Sequence, residues 1–453
     1  MDEVTRREVL IGAGALSGAL AFGAVGTPTV VAGGRDRPDD FDAEVPTAWF
    51  DLARTLVQST PGFSPPVAAR AFGYAGITLY ESVVAGSRRH RSLAKVLPGL
   101  RRLPRRNGDL QWEAVANSAL ASILQSLFPT TGDANKAAID SLESSFADRF
   151  RRRSSRSTHH RSIEHGREAA GAVFDWSRRD GGHEGYLRNF PPDYVPPVGP
   201  GLWVPTPPSF QPALQPSWGT NRCFAIADGS ACAPGGHTAY SEDPQSQFFA
   251  EAVEVYDAVN NLDAEREAIA RFWADDPGAT ATPPGHSISI ATQVLRAEDA
   301  SLMSAAETYA KLGIAVCDAF VSCWETKFRF NLLRPVTYIQ RLIDPAWLPL
   351  LTTPPFPEYT SGHSVQSGAA FGVLADLFGD SYSFDDHTHD SRGLAPRHFD
   401  SFSEAADEAA ISRLYGGIHF RPAVELGLQQ GRCIAAAVNA LPFTEQRGRQ
   451  KSR

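Results

Sequence analysis

The chain has 453 residues, a net charge of −8, 42% hydrophobic and 21% charged residues. That is enough apolar material for a large core. The acidic balance argues against wholesale binding of nucleic acid or anionic membranes. The basic clusters at 88–106 and 149–156 and in the C-terminal tail read as solvated surface.

The N-terminus reads as a targeting segment. Thr5-Arg6-Arg7-Glu8-Val9-Leu10 is a twin-arginine pattern, residues 11–25 are apolar and Gly/Ala-rich, and Val30-Val31-Ala32 offers small residues for cleavage. Residues 1–32 are expected to be an export signal. The mature chain, 33–453, then works in an extracellular or periplasmic space. No later apolar run is long enough to span a membrane, because 313–324 is short and contains Asp318.

Helical periodicity runs through 48–57, 67–84, 111–127, 133–150 and 160–178. Pro65-Pro66 opens the second of these, where a first turn tolerates proline. Residues 179–243 are rich in Gly, Pro and Trp and form a long irregular connection. Such a loop either frames a site or links two halves. Helical pattern resumes at 246–259, 264–273, 287–295 and 301–328, with a loop at 275–286 and no clear assignment for 331–342. Helices at 364–378, 404–415 and 422–440 complete the chain, around a polar loop at 385–390. Strand patterns are scarce. The expected fold is all-α, of packed helix bundles in one domain. It has an N-terminal half (46–178), the irregular connection (179–243) and a C-terminal catalytic half (244–442).

Of the five cysteines, Cys223 and Cys232 lie in loop sequence, where a disulfide between them is open to an exported protein. Cys317 and Cys323 fall in an apolar helix and read as core. No Cys-x-x-Cys suggests a zinc site.

Three segments carry chemistry. Lys327 and Arg334-Pro335 are seven residues apart, two turns if the stretch is helical, so both cations would share a face. Two such cations suit a shared anion, one as a point charge and one as a planar fork. The run Phe356-Pro357-Glu358-Tyr359-Thr360-Ser361-Gly362-His363 is a Pro-rich loop feeding a helix. Its N-cap residue types, close-approach glycine and titratable ring suit an oxyanion at a helix N-terminus. In Ser412-Arg413-Leu414-Tyr415-Gly416-Gly417-Ile418-His419 the paired glycines break the helix, and Pro422 starts the next one, placing His419 near another helix start.

These segments resemble the signature of the superfamily that unites type-2 phosphatidic-acid-phosphatase-like enzymes with vanadium-dependent haloperoxidases: Lys-x6-Arg-Pro, then Pro-Ser-Gly-His, then Ser-Arg-x5-His-x3-Asp. Thr360 stands in place of the proline, and Ala423 in place of the last aspartate. The Phe-Pro-Glu-Tyr lead-in is similar to the haloperoxidase branch. The resemblance implies that Lys327, Arg334, Ser361, Gly362 and Arg413 hold an oxyanion, that His419 ligates vanadium or attacks phosphorus, and that His363 is the general acid/base. It implies a vanadate cofactor, with hydrogen peroxide, halide and a small organic substrate as partners. The alternative is an acid phosphatase that needs no cofactor and acts on phosphomonoesters through a phosphohistidine. A non-catalytic oxyanion scaffold is a third reading, raised by Ala423. The missing carboxylate is expected from Asp275 or Asp276. A homo-oligomer is compatible with the sequence. The run 385–390, with His387 and His389, has the residue types of a divalent-cation loop, whereas His286 and His398 show no sequence partners.

Overall fold

The computed structural model describes residues 36–104 and 108–444. The export signal expected at 1–32 lies outside the described residues. Among them are thirteen α-helices: α1 (Glu44–Ser59), α2 (Pro65–Val83), α3 (Trp112–Leu127), α4 (Asp133–Arg151), α5 (Arg156–Ser177), α6 (Gln247–Asn260), α7 (Ala264–Phe272), α8 (Thr282–Ala297), α9 (Leu302–Phe330), α10 (Pro335–Leu342), α11 (Gly362–Phe378), α12 (Phe402–Tyr415) and α13 (Arg421–Asn439). The all-α reading holds apart from one short antiparallel hairpin, β1 (Phe384–Asp386) and β2 (Arg397–Phe399). That hairpin falls where the sequence suggested only a polar loop, since three-residue strands are too short to show a period. No helix among the described residues is long and apolar enough to cross a membrane.

The centre of the molecule is α9. It is 29 residues long and buried over most of its length, from Leu302 to Lys327. A helix apolar on all sides must be surrounded, and α2, α11, α13 and α8 pack around it. The α2–α9 crossing is close because Gly76 faces the Tyr309 carbonyl, where no side chain fits. Gly431 does the same for α13 against the Val365 carbonyl of α11. A smaller apolar cluster, containing Phe248, Val336, Tyr338, Tyr359, Phe420 and Ala423, lies beneath the motif segments.

The irregular connection wraps the C-terminal half of α9. Asp318, fully buried on α9, accepts N–H bonds from Phe224 and Ala225 at 2.7 Å and from Ile226 at 3.2 Å. Burial pushes the Asp318 carboxyl up to about 6, against the pull of those three donors. Ser322 donates to the Gly229 carbonyl at 2.8 Å, and the Trp324 indole donates to Leu214 O at 3.1 Å. The Cys223–Cys232 bridge that the sequence left open does not form. Cys232 pairs instead with Cys433 on α13, and Cys223 is a buried free thiol. The wrap turns the nine-residue spacing of Cys223 and Cys232 away from itself and brings residue 232 against the last helix. Cys317 and Cys323 are buried, as expected of core positions.

Gly76→Ala tests the central crossing. A methyl group there collides with backbone rather than with a movable side chain, so a loss of about 1–3 kcal/mol is expected. It would be read as a lowered thermal midpoint. A midpoint unchanged from the parent would show that α2 and α9 can part at no cost.

Candidate oxyanion site

The expectation that Lys327 and Arg334 share one helical face is not met. Helix α9 ends at Phe330, and Asn331 caps it in the left-handed region at φ 49°. The chain then runs extended to Arg334, which is the N-cap of α10 with Pro335 in its first turn. Proline at 335 disfavours helix at the residue before it. The two cations therefore approach the same place from two elements.

Both are fully buried, and both are anchored by carbonyl oxygens of the Pro-rich segment. Lys327 Nζ donates to Pro357 O and Glu358 O at 2.9 Å and also to Thr360 O. Arg334 donates from Nε to Phe356 O at 2.9 Å, and from Nη1 to Ile418 O at 2.7 Å. Prolines 354, 355 and 357 keep this segment out of a helix, so its carbonyls are free to accept. Ser361 caps α11, its hydroxyl accepting from Ser364 N–H at 3.3 Å, and Gly362 and His363 open that helix. In the last turn of α12, Arg413 donates to Trp273 O at 2.8 Å. After the break at Gly417 (φ 76°), His419 stands just before Phe420, the N-cap of α13.

Glu358 meets His419 from the Pro-rich segment. His419 donates from Nδ1 to Glu358 Oε1 at 2.7 Å, and Phe420 N–H donates to the same oxygen at 2.9 Å. The Nε2 lone pair of His419 then faces the pocket, 3.2 Å from Arg334 Nη1. Asp275 and Asp276 do not take this part. They act electrostatically on Arg413 instead. Ala423 could not take it either: its side chain is buried in the small apolar cluster, and its carbonyl accepts from Ser361 N–H at 3.0 Å. The sequence singled out the Phe-Pro-Glu-Tyr lead-in but gave Glu358 no role. An ionisable residue between Pro357 and Tyr359, inside the motif, was the available signal.

Burial brings Lys327 down to about 7 and Arg334 to about 9, and the neighbouring cations reinforce it. Burial brings Arg413 to about 10, against the pull of Asp276 and Asp275. A pocket with three such cations gains from a bound anion. His419 is held well below the usual histidine range, first by burial, then by Arg334 and Lys327. It is a neutral imidazole whose Nε2 lone pair points at Arg334 Nη1. Burial and Arg413 likewise depress His363. Burial pushes Glu358 up to about 7.

A cavity of about 590 Å³ opens onto Gly362, His363, Arg413 and His419. Its walls include Phe63, Leu214, Phe320, Trp324 and Phe356, and its rim takes Asn189, Phe190, Ser209 and Gln211 from the irregular connection. Arg334 Nη2, Arg413 Nε and His363 Nε2 are shielded polar atoms with no protein partner. Such orphans are costly unless a ligand meets them. Two guanidinium donors, a helix N-terminus and a neutral imidazole fit a tetrahedral or trigonal-bipyramidal oxyanion.

Every residue expected at the site is thus in one neighbourhood, with Glu358 added to it. The polar run 385–390 does not form a site by itself: exposed His387 pairs with Asp390, whereas His389 points inward. His286 and His398 do have partners, Asp275 and Asp386 for the first, and Asp385 and Asp400 for the second.

The chain matches known proteins in sequence and in fold. The family model for the VCPO second helical-bundle domain matches residues 307–443. The crystal structure of a bacterial vanadium-dependent iodoperoxidase is 36% identical, with a TM-score of 0.82, over 89% of this chain and 97% of that one. A holo-type bacterial vanadium-dependent chloroperoxidase shares the fold at 17% identity, with a TM-score of 0.65, over 84% of this chain and 93% of its own. The vanadium chloroperoxidase of Curvularia inaequalis is 26% identical over 33% of this chain. The match spans only 35%, about a third, of that relative's length.

Glu358→Ala leaves the His419 ring and the Phe420 N–H without their acceptor. Vanadate or phosphate affinity, measured by equilibrium dialysis, is expected to fall about 10–100-fold. Glu358→Gln keeps an acceptor oxygen and should stay within a few-fold of the parent. Equal losses in both variants would mean that the carboxylate charge, not the orientation of His419, sets the affinity.

Proposed function

We propose, for a chain that belongs to the family of vanadium-dependent haloperoxidases, that the cage holds vanadate and that the protein oxidises halide with hydrogen peroxide. The observation that carries this is the pair of unpartnered buried donors, Arg334 Nη2 and Arg413 Nε, in the site where His419 Nε2 meets Arg334 Nη1.

His419 Nε2 would be the ligand to vanadium, and Glu358 fixes the ring so that this nitrogen presents its lone pair. Lys327, Arg334 and Arg413, with Ser361 and the N–H of Gly362, would hold the oxyanion's oxygens. Their charge is preorganised in a site largely screened from water, where it acts most strongly. When bound, vanadate supplies Lewis-acid activation of peroxide, so that halide is oxidised to hypohalous acid. His363 exchanges protons at the cavity face through Nε2, and its neutrality leaves it able to accept one. The aromatic walls leave room for a small organic acceptor beside the cage. Likeness to the iodoperoxidase supports iodide as the favoured halide. The twin-arginine pattern at Thr5 to Leu10 supports export to the periplasm or the outside; fusion of residues 1–35 to a reporter should send it out by the twin-arginine route, and loss of Arg6 and Arg7 should stop it.

The protein, reconstituted with vanadate, is expected to oxidise iodide faster than bromide, and bromide faster than chloride. Hydrolysis of p-nitrophenyl phosphate is run in parallel without vanadate. Phosphate-ester turnover with no halide oxidation would overturn the peroxidase reading. Binding with neither activity would make the protein a scaffold.

His419→Ala should abolish halide oxidation. His363→Ala should slow turnover about 10²–10⁴-fold while vanadate affinity stays within a few-fold. If His363→Ala lost binding instead, the ring would be part of the cage.

A further inference from the structure

A second cavity, of about 270 Å³, lies on the other side of Asp275, which lines both. Asp275, His286 and His389 meet there. Their candidate ligand atoms all lie within 4.8 Å of one another. The three come from separate elements: the loop after α7, the second turn of α8 and the β1–β2 connection. We propose that Asp275, His286 and His389 form a binding site for a divalent transition-metal ion, distinct from the vanadate cage.

Two observations beyond the clustering point to a ligand. Asp275 Oδ1 and His389 Nε2 are buried, have no well-aligned hydrogen bond and meet only as a long ion pair, on side chains whose residues are each only 2% exposed. They face each other at 3.4 Å. Metal bonds of about 2.0–2.1 Å place neighbouring ligands of a tetrahedron roughly 3.3–3.4 Å apart. The third position is His286 Nδ1, 2.8 Å from Asp275 Oδ2.

The surrounding groups are those that orient metal ligands. His286 donates from Nε2 to Asp386 Oδ2 at 2.6 Å, which leaves Nδ1 as its ligand nitrogen. Arg392 Nη1 donates to His389 Nδ1 at 3.4 Å; an ion on Nε2 moves the ring proton to Nδ1 and ends that contact. Trp273 stacks on the His286 ring, with centroids 4.5 Å apart, and fixes its plane. Asp275 itself sits at φ 50°, a left-handed conformation that a non-glycine residue adopts at a cost. The cavity also holds Arg54, whose charge is balanced by Asp51.

The ion takes the place of the proton that His286 Nδ1 shares with Asp275, and that proton leaves to solvent. Asp386 keeps its bond to Nε2 throughout. Two imidazoles and one carboxylate suit zinc or cobalt rather than magnesium or calcium, which need more oxygen ligands. The tetrahedron's fourth position opens on the second cavity, where water completes it.

Cobalt(II) is the probe, titrated into the full chain loaded with vanadate. One equivalent is expected to bind at low-micromolar concentration or tighter and to give the intense visible absorption of a four- or five-coordinate ion. Zinc should displace it. His286→Gln and His389→Gln should each weaken binding at least 30-fold, whereas removing the exposed His160 and His398 together should leave it unchanged. Should His286→Gln not fold, His389→Gln alone decides. No saturable absorption, or equal binding by the His389→Gln protein, overturns the proposal. Vanadate affinity, followed in the same samples, reports separately on the cage.

Discussion

An ammonium and two guanidinium groups share one buried pocket, a placement that costs several kcal/mol per ion unless each finds compensation. Compensation comes mostly from backbone. Lys327 is met by three carbonyl oxygens, Arg334 by two and Arg413 by one. Carboxylates would neutralise these cations, and a neutralised pocket would have little left to offer an anion. Carbonyl dipoles stabilise the charge without cancelling it. The prolines around Phe356 matter for that reason, since a helix would have consumed the same oxygens. The end of α9, the cap of α10 and the Ser361 to Ala423 bond all serve to hold that one extended segment in place.

One oxygen of the Glu358 carboxyl reaches the cage, where it accepts from His419 and from the N–H of Phe420, the N-cap of the next helix. Two functions meet in it. It selects which imidazole nitrogen is free, and it ties the second motif to the third. Asp275 and Asp276 stand farther off, moderating Arg413, so negative charge is graded from the ligand side of the pocket to the opposite wall.

Much of this was legible in the sequence. The helices of the second half were plain, because α9, α11 and α13 carry long apolar patterns and sharp caps. So was the nearness of the seven motif residues, because their spacing survives on three short segments. What failed had local causes. Lys327 and Arg334 read as one face because spacing alone cannot show the left-handed break at Asn331. Whether Cys232 pairs with Cys223 stayed open because nearness in sequence says nothing about a loop that circles a helix. Glu358 was hidden by its context, a charged residue in an aromatic and proline run whose family role falls elsewhere. His286 and His389, with 102 residues between them, share no pattern that a linear reading could join.

Asp318 carries a consequence for how this protein can change. It holds the long connection through the N–H groups of Phe224, Ala225 and Ile226, and backbone donors are the same whatever side chains accompany them. The anchor is therefore blind to residue type. Asn189, Phe190, Ser209 and Gln211, on the cavity rim, belong to the same connection. Their replacement leaves the anchor untouched. The entrance can drift toward new acceptors through substitution alone, while the charged interior, fixed by carbonyls from another stretch of chain, stays as it is.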